Sequence, residues 1–371
     1  MNDITIDKTG WKKWRFDEVC RQVNVSSKDP EAEGLHYVIG LEHLEPGNLH
    51  ITKWDTLEKE TTFTRKFVKG QVLFGRRRAY QRKVAYAEFD GICSGDILVF
   101  EAIEENLIPE LLSFLIQSDG FFEKALATSA GSLSPRTKFK ELADYEFLLP
   151  PKPEQKRLAE LLWAADEMIE KEKKELEIAK HLRELRFENI TSQIANAKLA
   201  DCLIVLKSKS KAPHLYDKYI GLEHIESGAF TTNIFGDPKN VLADSFIFKQ
   251  GDLLYSKLRP YLDKCIIADF DGISTTELIV YDTTPIVSKE YILHVLHSKR
   301  FLDYIVDKSF GTKMPRVSHE IVSEYELYVP TPKKQEAILK EINAYVSQEI
   351  NIAKQISYSR QLKQKLINKI F

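Results

Sequence analysis

The fold class predicted for this chain is α+β. Two repeated mixed α/β domains should be separated by a two-helix antiparallel coiled coil, with pseudo-two-fold symmetry. Three observations lead there: the chain repeats itself at a long interval, each repeat opens with short strand-like runs, and each closes with a long helical stretch. Ile39-Gly-Leu-Glu-His43 recurs as Ile220-Gly-Leu-Glu-His224, and Phe89-Asp-Gly-Ile92 as Phe270-Asp-Gly-Ile273, both displaced by 181 residues. Gly70 and Tyr80 answer Gly251 and Tyr261 at the same interval. Later the interval shortens to 180, where Gly131, Pro135-Arg136, Pro150 and Gln155 answer Gly311, Pro315-Arg316, Pro330 and Gln335. Solenoid repeats have periods of about 20–50 residues, so this is duplication of a domain-sized unit. Two similar sites suit a partner that is read twice.

The first domain is placed at 1–150. Its candidate strands are 37–41, 72–74, 84–89, 97–100 and 146–149, short runs rich in β-branched and aromatic residues and bounded by Gly, Asp or Pro. Leu111, Leu112, Leu115 and Ile116 have helical spacing, and residues 121–126 continue or restart that helix after Gly120. Phe89-Asp-Gly91 reads as a turn. A long helix at 151–197 follows, opening on Pro150-Pro-Lys-Pro153, because proline suits a first turn whose N–H groups have no partner. Glu154 complements the positive end of the helix dipole. The second domain is placed at 198–330 and the second long helix at 331–371.

Helices of this length span on the order of 60 Å and cannot leave an apolar face in water, so each needs a partner. The simplest partner is the other copy. The expected seam comprises Leu158, Leu162, Ala165, Ile169, Leu176 and Ala179 on the first helix, and Leu339, Ile342, Val346, Ile350, Ala353 and Ile356 on the second. Leu161, Met168, Leu182, Leu185, Leu362 and Ile370 share the same three-four spacing. Connectivity favours antiparallel pairing, which would hold two domains at a fixed separation and in opposite orientations.

A length of 371 residues suits two or three domains, and 43% hydrophobic with 29% charged residues is a globular composition. No run approaches the roughly 18 apolar residues of a membrane span. The first residues lack the apolar core of a signal peptide. Cys20, Cys93, Cys202 and Cys265 are isolated, without metal-ligand spacing, which points to reduced thiols in a cytoplasmic protein. The net charge of −2 does not advertise nucleic acid, but its distribution does. Residues 61–87 contain no acid, whereas Arg65, Lys66, Lys69, Arg76, Arg77, Arg78, Arg82 and Lys83 are basic.

The candidate DNA contacts are Arg76, Arg77, Arg78, Tyr80, Arg82 and Lys83, matched in the second copy by Lys257, Arg259 and Tyr261. Arginine clamps phosphate or reads guanine edges, and tyrosine contacts sugar or phosphate. Charge alone leaves a solvated basic hairpin as the alternative. Arg136 and Arg316 follow prolines in glycine loops able to approach a phosphate backbone; the alternative is a structural turn. His43 and His224 sit beside Glu42 and Glu223. Neighbours on a strand point to opposite faces, so a packing or hydrogen-bonding role is expected and no metal is assigned.

The ordered series of motifs resembles the specificity subunit of type I restriction–modification systems. The series runs through the tryptophan-led opening at 11–19, Lys69-Gly-Gln-Val-Leu-Phe74, Phe89-Asp-Gly91, Gly131-Ser-Leu-Ser-Pro135 and Pro150-Pro-Lys-Pro-Glu-Gln155. It returns in Gln250-Gly-Asp-Leu-Leu-Tyr255, Phe270-Asp-Gly272, Gly311-Thr-Lys-Met-Pro315 and Pro330-Thr-Pro-Lys-Lys-Gln335. The resemblance implies two target-recognition domains, each reading half of a split double-stranded DNA sequence. It implies helices that dock two methyltransferase subunits carrying S-adenosylmethionine, with restriction subunits joining in the full complex. This chain would then be non-catalytic and bind no cofactor itself. That agrees with the lack of a P-loop or a methyltransferase motif. The second copy departs in lacking the opening tryptophan and in placing Lys334 where Glu154 stands, whereas Gln71 replaces the usual turn aspartate that Asp252 keeps. A two-headed coiled-coil scaffold without sequence-specific DNA binding is the competing function. A nuclease is disfavoured because no acidic or metal-ligating cluster recurs in both copies.

Overall fold

The computed structural model describes residues 6–59, 61–311 and 313–371. They form two compact units, one comprising the chain up to Lys173 together with Lys354–Phe371, the other Lys174–Ala353. The helices expected at 151–197 and 331–371 are Lys152–Thr191 and Pro332–Ile370. Neither long helix is a body of its own; each contributes half to each unit. The reason lies in the cores. Leu158, Ala159 and Leu162 from the first long helix and Ile367 and Ile370 from the second share one apolar cluster with Phe74, Phe100 and Phe121. Phe187, Ile338 and Ile342 do the same in the other unit.

In the first unit, an antiparallel sheet has the order Cys20–Val23, Ile97–Ala102, Val72–Gly75, Val84–Tyr86. A second sheet has the order Asp55–Thr56, Tyr37–Ile39, Gly91–Cys93, Arg65–Phe67, with its two middle strands parallel. Lys12–Arg15 pairs with Glu146–Leu149. Helices Pro109–Gln117 and Asp119–Ala127 complete the unit. Phe16 packs on Phe121 at 4.9 Å and on Phe100 at 5.5 Å between ring centroids, in tilted and edge-on geometries that favour aromatic pairs. The four cysteines are buried and free.

Strands Lys12–Arg15, Cys20–Val23, Asp55–Thr56, Arg65–Phe67 and Gly91–Cys93 escape a reading by apolar pattern. Several are short, polar and partly exposed, so their pairing is set by neighbours and not by their own side chains. The strand expected at 37–41 stops at Ile39. A Cβ on Gly40 would lie 2.3 Å from a Glu42 carboxylate oxygen, and the chain turns there into a single 3-10 turn, Leu41–His43. The second short helix starts at Asp119, before Gly120, because the Ser118 hydroxyl accepts the Phe121 N–H at 3.3 Å as an N-cap.

The second unit repeats the first sheet as Leu203–Leu206, Leu278–Thr283, Leu253–Ser256, Cys265–Ile267. Its other sheet has Tyr219–Ile220 parallel to Gly272–Ser274, followed by Ser245–Phe248 and Lys209–Ser210. The repeated motifs now have physical causes. A Cβ on Gly91 would lie 2.6 Å from the Tyr37 carbonyl oxygen, and one on Gly272 2.7 Å from that of Lys218, so both parallel pairs require glycine. Asp90 and Asp271 each accept a backbone N–H at 2.7 Å, from Lys69 and Gln250. Gln71 replaces Asp252 without loss. Its side-chain oxygen accepts the Val68 N–H at 2.9 Å, as Asp252 accepts that of Lys249 at 2.8 Å. The second copy lacks the opening tryptophan but keeps the cap that follows it: Asp201 caps Lys198 at 2.8 Å as Glu18 caps Arg15 at 2.7 Å.

Gln155 and Gln335 explain the motif that opens each long helix, Lys152–Thr191 and Pro332–Ile370. Gln155 accepts the Ile108 N–H and donates to the Asn106 and Pro150 carbonyls, all at 3.0 Å. Gln335 accepts from Ser288 at 2.9 Å and donates to Ile286 and Pro330 at 2.8 Å. Each is buried and fastens a helix start to its domain.

The long helices run antiparallel within each unit: Asp166 meets Lys363 and Glu172 meets Ser359 in one, while Arg183 meets Glu349 and Arg186 meets Glu341 in the other. Leu158, Leu162, Ile169, Ala179, Ile342 and Ile356 are buried, and Ala165, Leu176, Leu339 and Val346 partly so. Ile350 and Ala353 are corrections, since both face outward. Leu161, Met168, Leu182, Leu185 and Leu362 are also about half exposed. The buried line instead passes through Asp166, Glu172, Arg183, Glu349 and Lys363. Asp166 with Lys363 and Arg183 with Glu349 reach the interior as ion pairs, Glu172 accepts the Ser359 hydroxyl, and Glu349 takes the place in the seam that adjacent Ile350 was expected to fill.

Candidate nucleic-acid interface

In the first unit the chain leaves Val72–Gly75, passes Arg76 and Arg77, and makes a 3-10 turn at Ala79–Gln81 before Val84–Tyr86. Arg78 and Arg82 bracket the turn in the left-handed region, at φ 54° and 52°. Such backbone costs a non-glycine residue about 1–3 kcal/mol and persists only where its surroundings enforce it. The enforcement comes from the glycine loop at 131–135: the Arg78 N–H donates to the Pro135 carbonyl at 2.8 Å, and Thr137 donates to that of Arg76 at 3.1 Å. Arg77 donates to the Ser134 hydroxyl at 3.1 Å.

Arg136 grips Asp96 through two hydrogen bonds, of 2.6 and 3.1 Å, and Arg77 lies 3.6 Å from the same carboxylate. The Arg136 hydrogen bond is the largest cause holding the Asp96 carboxyl below its usual range. Arg76 has the opposite surroundings. Burial, and then the guanidinium groups of Arg65 and Arg136, oppose its charge, only partly offset by Asp96. The Nε atoms of Arg76, Arg77 and Arg78 are buried without a hydrogen-bond partner. Tyr80 projects from the turn, 56% exposed. The result is a braced, cation-rich loop pair with Tyr80 exposed beside it.

The second unit builds the same frame with different side chains. Arg259 and Asp263 occupy the left-handed positions, at φ 51° and 48°, and the Arg259 N–H donates to the Pro315 carbonyl at 2.7 Å. Arg316 grips Glu277 at 3.3 and 3.5 Å, Lys257 takes the place of Arg76, and Tyr261 is 53% exposed. The Arg259 Nε also lacks a partner. Sequence reasoning missed the acid that locks each frame. Its signal is visible, since Asp96 and Glu277 share the 181-residue displacement of the flanking motifs.

Two expected contacts serve the fold instead. Arg82 donates to the Gln117 carbonyl at 3.0 Å and to Asp119 at 2.5 Å, over the Phe122 ring. Lys83 donates to the Leu41 carbonyl at 2.6 Å, as Lys264 does to Leu222. His43 and His224 lie in 3-10 turns and not on strands, yet each ring Nδ1 accepts the N–H of Gly40 or Gly221 at 2.9 Å. Glu42, His43 and Asp55 bring donor atoms within 4.8 Å of one another, but Gly236 stands where a second Asp55 would be, so the cluster is not duplicated.

Residues 9–180 match the type I restriction modification DNA specificity domain. The chain is 25% identical over 303 residues to the type I restriction enzyme EcoDI specificity subunit of Escherichia coli, covering 69% of this chain and 67% of that one. The fold is similar to a solved chain from work on complex assembly and conformational transition of the type I R-M system. There the TM-score is 0.58 at 16% identity, over 98% of this chain and 97% of that one. It is also similar to the type I restriction–modification S subunit from M. genitalium, with a TM-score of 0.53 at 15% identity, over 99% and 98%. Among the described residues, no helix is long and apolar enough to cross a membrane.

Proposed function

We propose that the chain is a type I restriction–modification specificity subunit, and that each of its units reads one half of a split double-stranded DNA target. The observation that carries this reading is the duplicated loop frame. Each is locked by an arginine–carboxylate pair and gathers half-buried guanidinium groups beside it, Arg76, Arg77 and Arg78 in one unit and Arg259 in the other. Phosphate oxygens are the acceptors that guanidinium groups favour. Arg136 and Arg316 brace the loops, while Tyr80, Tyr261 and Lys257 reach the backbone beside them. The chain would be non-catalytic, with S-adenosylmethionine carried by the methyltransferase.

The long helices are the docking surface for two methyltransferase subunits. Leu161, Met168, Leu182 and Leu185 support this, as an apolar line at heptad spacing that the helix pair leaves exposed. Two separate readers predict a split target whose half-sites flank an unread spacer. Methylome sequencing of a host carrying only this subunit and its methyltransferase tests the reading. A split target supports it; a continuous palindrome overturns it.

A further inference from the structure

The second unit holds a cleft whose aromatic walls have no counterpart in the first. Its volume is about 470 Å³, and its walls include Leu206, Phe246, Leu278, Val280 and Phe310, with Lys207, Lys209, Lys257 and Arg316 also among the lining residues. The lining is thus an aromatic and aliphatic slot with these cations, and the carboxylates of Glu277 and Glu320, beside it. Arg316 is paired with Glu277, but neither Lys209 nor Lys257 forms an ion pair among the described residues, and the Lys209 ammonium lies 5.7 Å from the Phe246 ring centroid. Phe310 is 56% exposed, although its backbone is fixed by two hydrogen bonds with Arg316, at 3.0 and 2.9 Å.

Strand register identifies the corresponding residues of the first unit. Phe246 pairs with Ser274 and Arg65 with Cys93, at matched positions of matched strands. Phe310 corresponds to Ala130, which exchanges the same two backbone hydrogen bonds with Arg136, at 3.1 and 2.9 Å. Both aromatic walls are therefore missing from the first unit. The Arg65 guanidinium lies there instead, donating to the carbonyls of Gly95 and Ile97, and Ile97 is the counterpart of the cleft residue Leu278.

We propose that this cleft takes one unstacked nucleobase between Phe246 and Phe310, with the adjoining phosphate on Lys209 and Lys257. The idea rests on the DNA-binding reading and adds to it an asymmetry. The second unit would hold a base removed from its stack, while the first has no such aromatic cleft. A flat π-surface with a neighbouring phosphate is the ligand that aromatic walls and free ammonium groups share, and stacking of this kind tolerates any base. A base already unpaired enters most easily, because the unstacking cost is then smallest.

The test uses the full chain and two probes, a short single strand and a duplex with one mismatched pair, each carrying 2-aminopurine at the unpaired position. Binding should change the 2-aminopurine fluorescence with either probe. Phe310→Ala should weaken single-strand binding by at least about fivefold. Phe246→Arg, which copies the residue that the first unit already accommodates, should do the same without impairing folding. A response from the single strand alone would identify single-stranded nucleic acid as the source of the base, and a response from the mismatched duplex would identify an extruded base. If wild type and Phe246→Arg bind both probes equally, the cleft proposal fails. Salt-dependent binding of a fully paired duplex, lost with Arg76, Arg77 and Arg78 neutralised, reports the DNA-binding reading separately.

Discussion

Replacing Asp166 with alanine should cost the first unit on the order of 3–5 kcal/mol, because it strands a buried cation. Asp166 and Lys363 are 2% and 5% exposed and form an ion pair inside the helix seam. His50 adds a second cation, its Nε2 lying 3.0 Å from the other carboxylate oxygen, with Glu88 at 3.0 Å from Nδ1. Asp166 first, and then Glu88, raises the His50 ring from 6.5 to about 9 against the effect of burial. A shift of that size corresponds to at most roughly 3 kcal/mol, and solvent screening around the exposed Glu88 reduces it to about 1–2 kcal/mol. The sign follows from the direction of each shift. The His50 contribution is complete below pH 6.5 and is lost as pH rises through about 9. Asp166 is held below its ordinary value of 3.8, so its contribution is present above that pH and is lost as pH falls through the lowered value.

The assay is urea unfolding followed by tryptophan fluorescence. All four tryptophans, Trp11, Trp14, Trp54 and Trp163, belong to the first unit, so the signal reports the unit that contains the pair. Asp166→Ala should lower the midpoint sharply and flatten the decline between pH 6.5 and 9. The double replacement Asp166→Leu with Lys363→Met should recover most of the loss, since an apolar pair can occupy a seam that a lone charge cannot. A loss below about 1 kcal/mol for the single variant, or a double variant as unstable as the single one, would refute the argument.

Gln155→Ala should destabilise the first unit by about 2–3 kcal/mol, because it leaves the Ile108 N–H and two carbonyls without their shared partner; the same urea titration measures it. Gly91→Ala and Gly272→Ala should each weaken folding by about 1–3 kcal/mol, through a Cβ forced onto a neighbouring strand's carbonyl. Tryptophan fluorescence should register only the first of these, and circular dichroism both. Replacing Arg76, Arg77 and Arg78 with glutamine should reduce the slope of log affinity against log salt by up to about 2.7, while assembly with the methyltransferase is unchanged. Loss of assembly in a pull-down would make those arginines structural.

Much of the architecture is legible in the residues because the duplication acts as an internal alignment. Gly91 and Gly272, Asp90 and Asp271, and Gln155 and Gln335 stand out by recurring, and each proves to make the same contact twice. Helical spacing likewise locates both long helices, and the basic run locates the loop frame. Seam register is different. Leu161, Leu182 and Ile350 are as apolar as the residues that are buried, and periodicity cannot tell two adjacent apolar faces apart.

What the residues alone determined is the repeated unit, its long helices and the concentration of cations on one hairpin, all properties of local pattern. Tertiary structure decided which of those cations are spent on the fold. Arg82 and Lys83 are taken up by Asp119 and the Leu41 carbonyl, whereas the Nε atoms of Arg76, Arg77 and Arg78 have no partner. It also decided that Asp166 and Lys363 belong inside the helix pair. The physical reason is common to both: the fate of a charge depends on partners distant in sequence, which only the folded chain brings within a few ångströms.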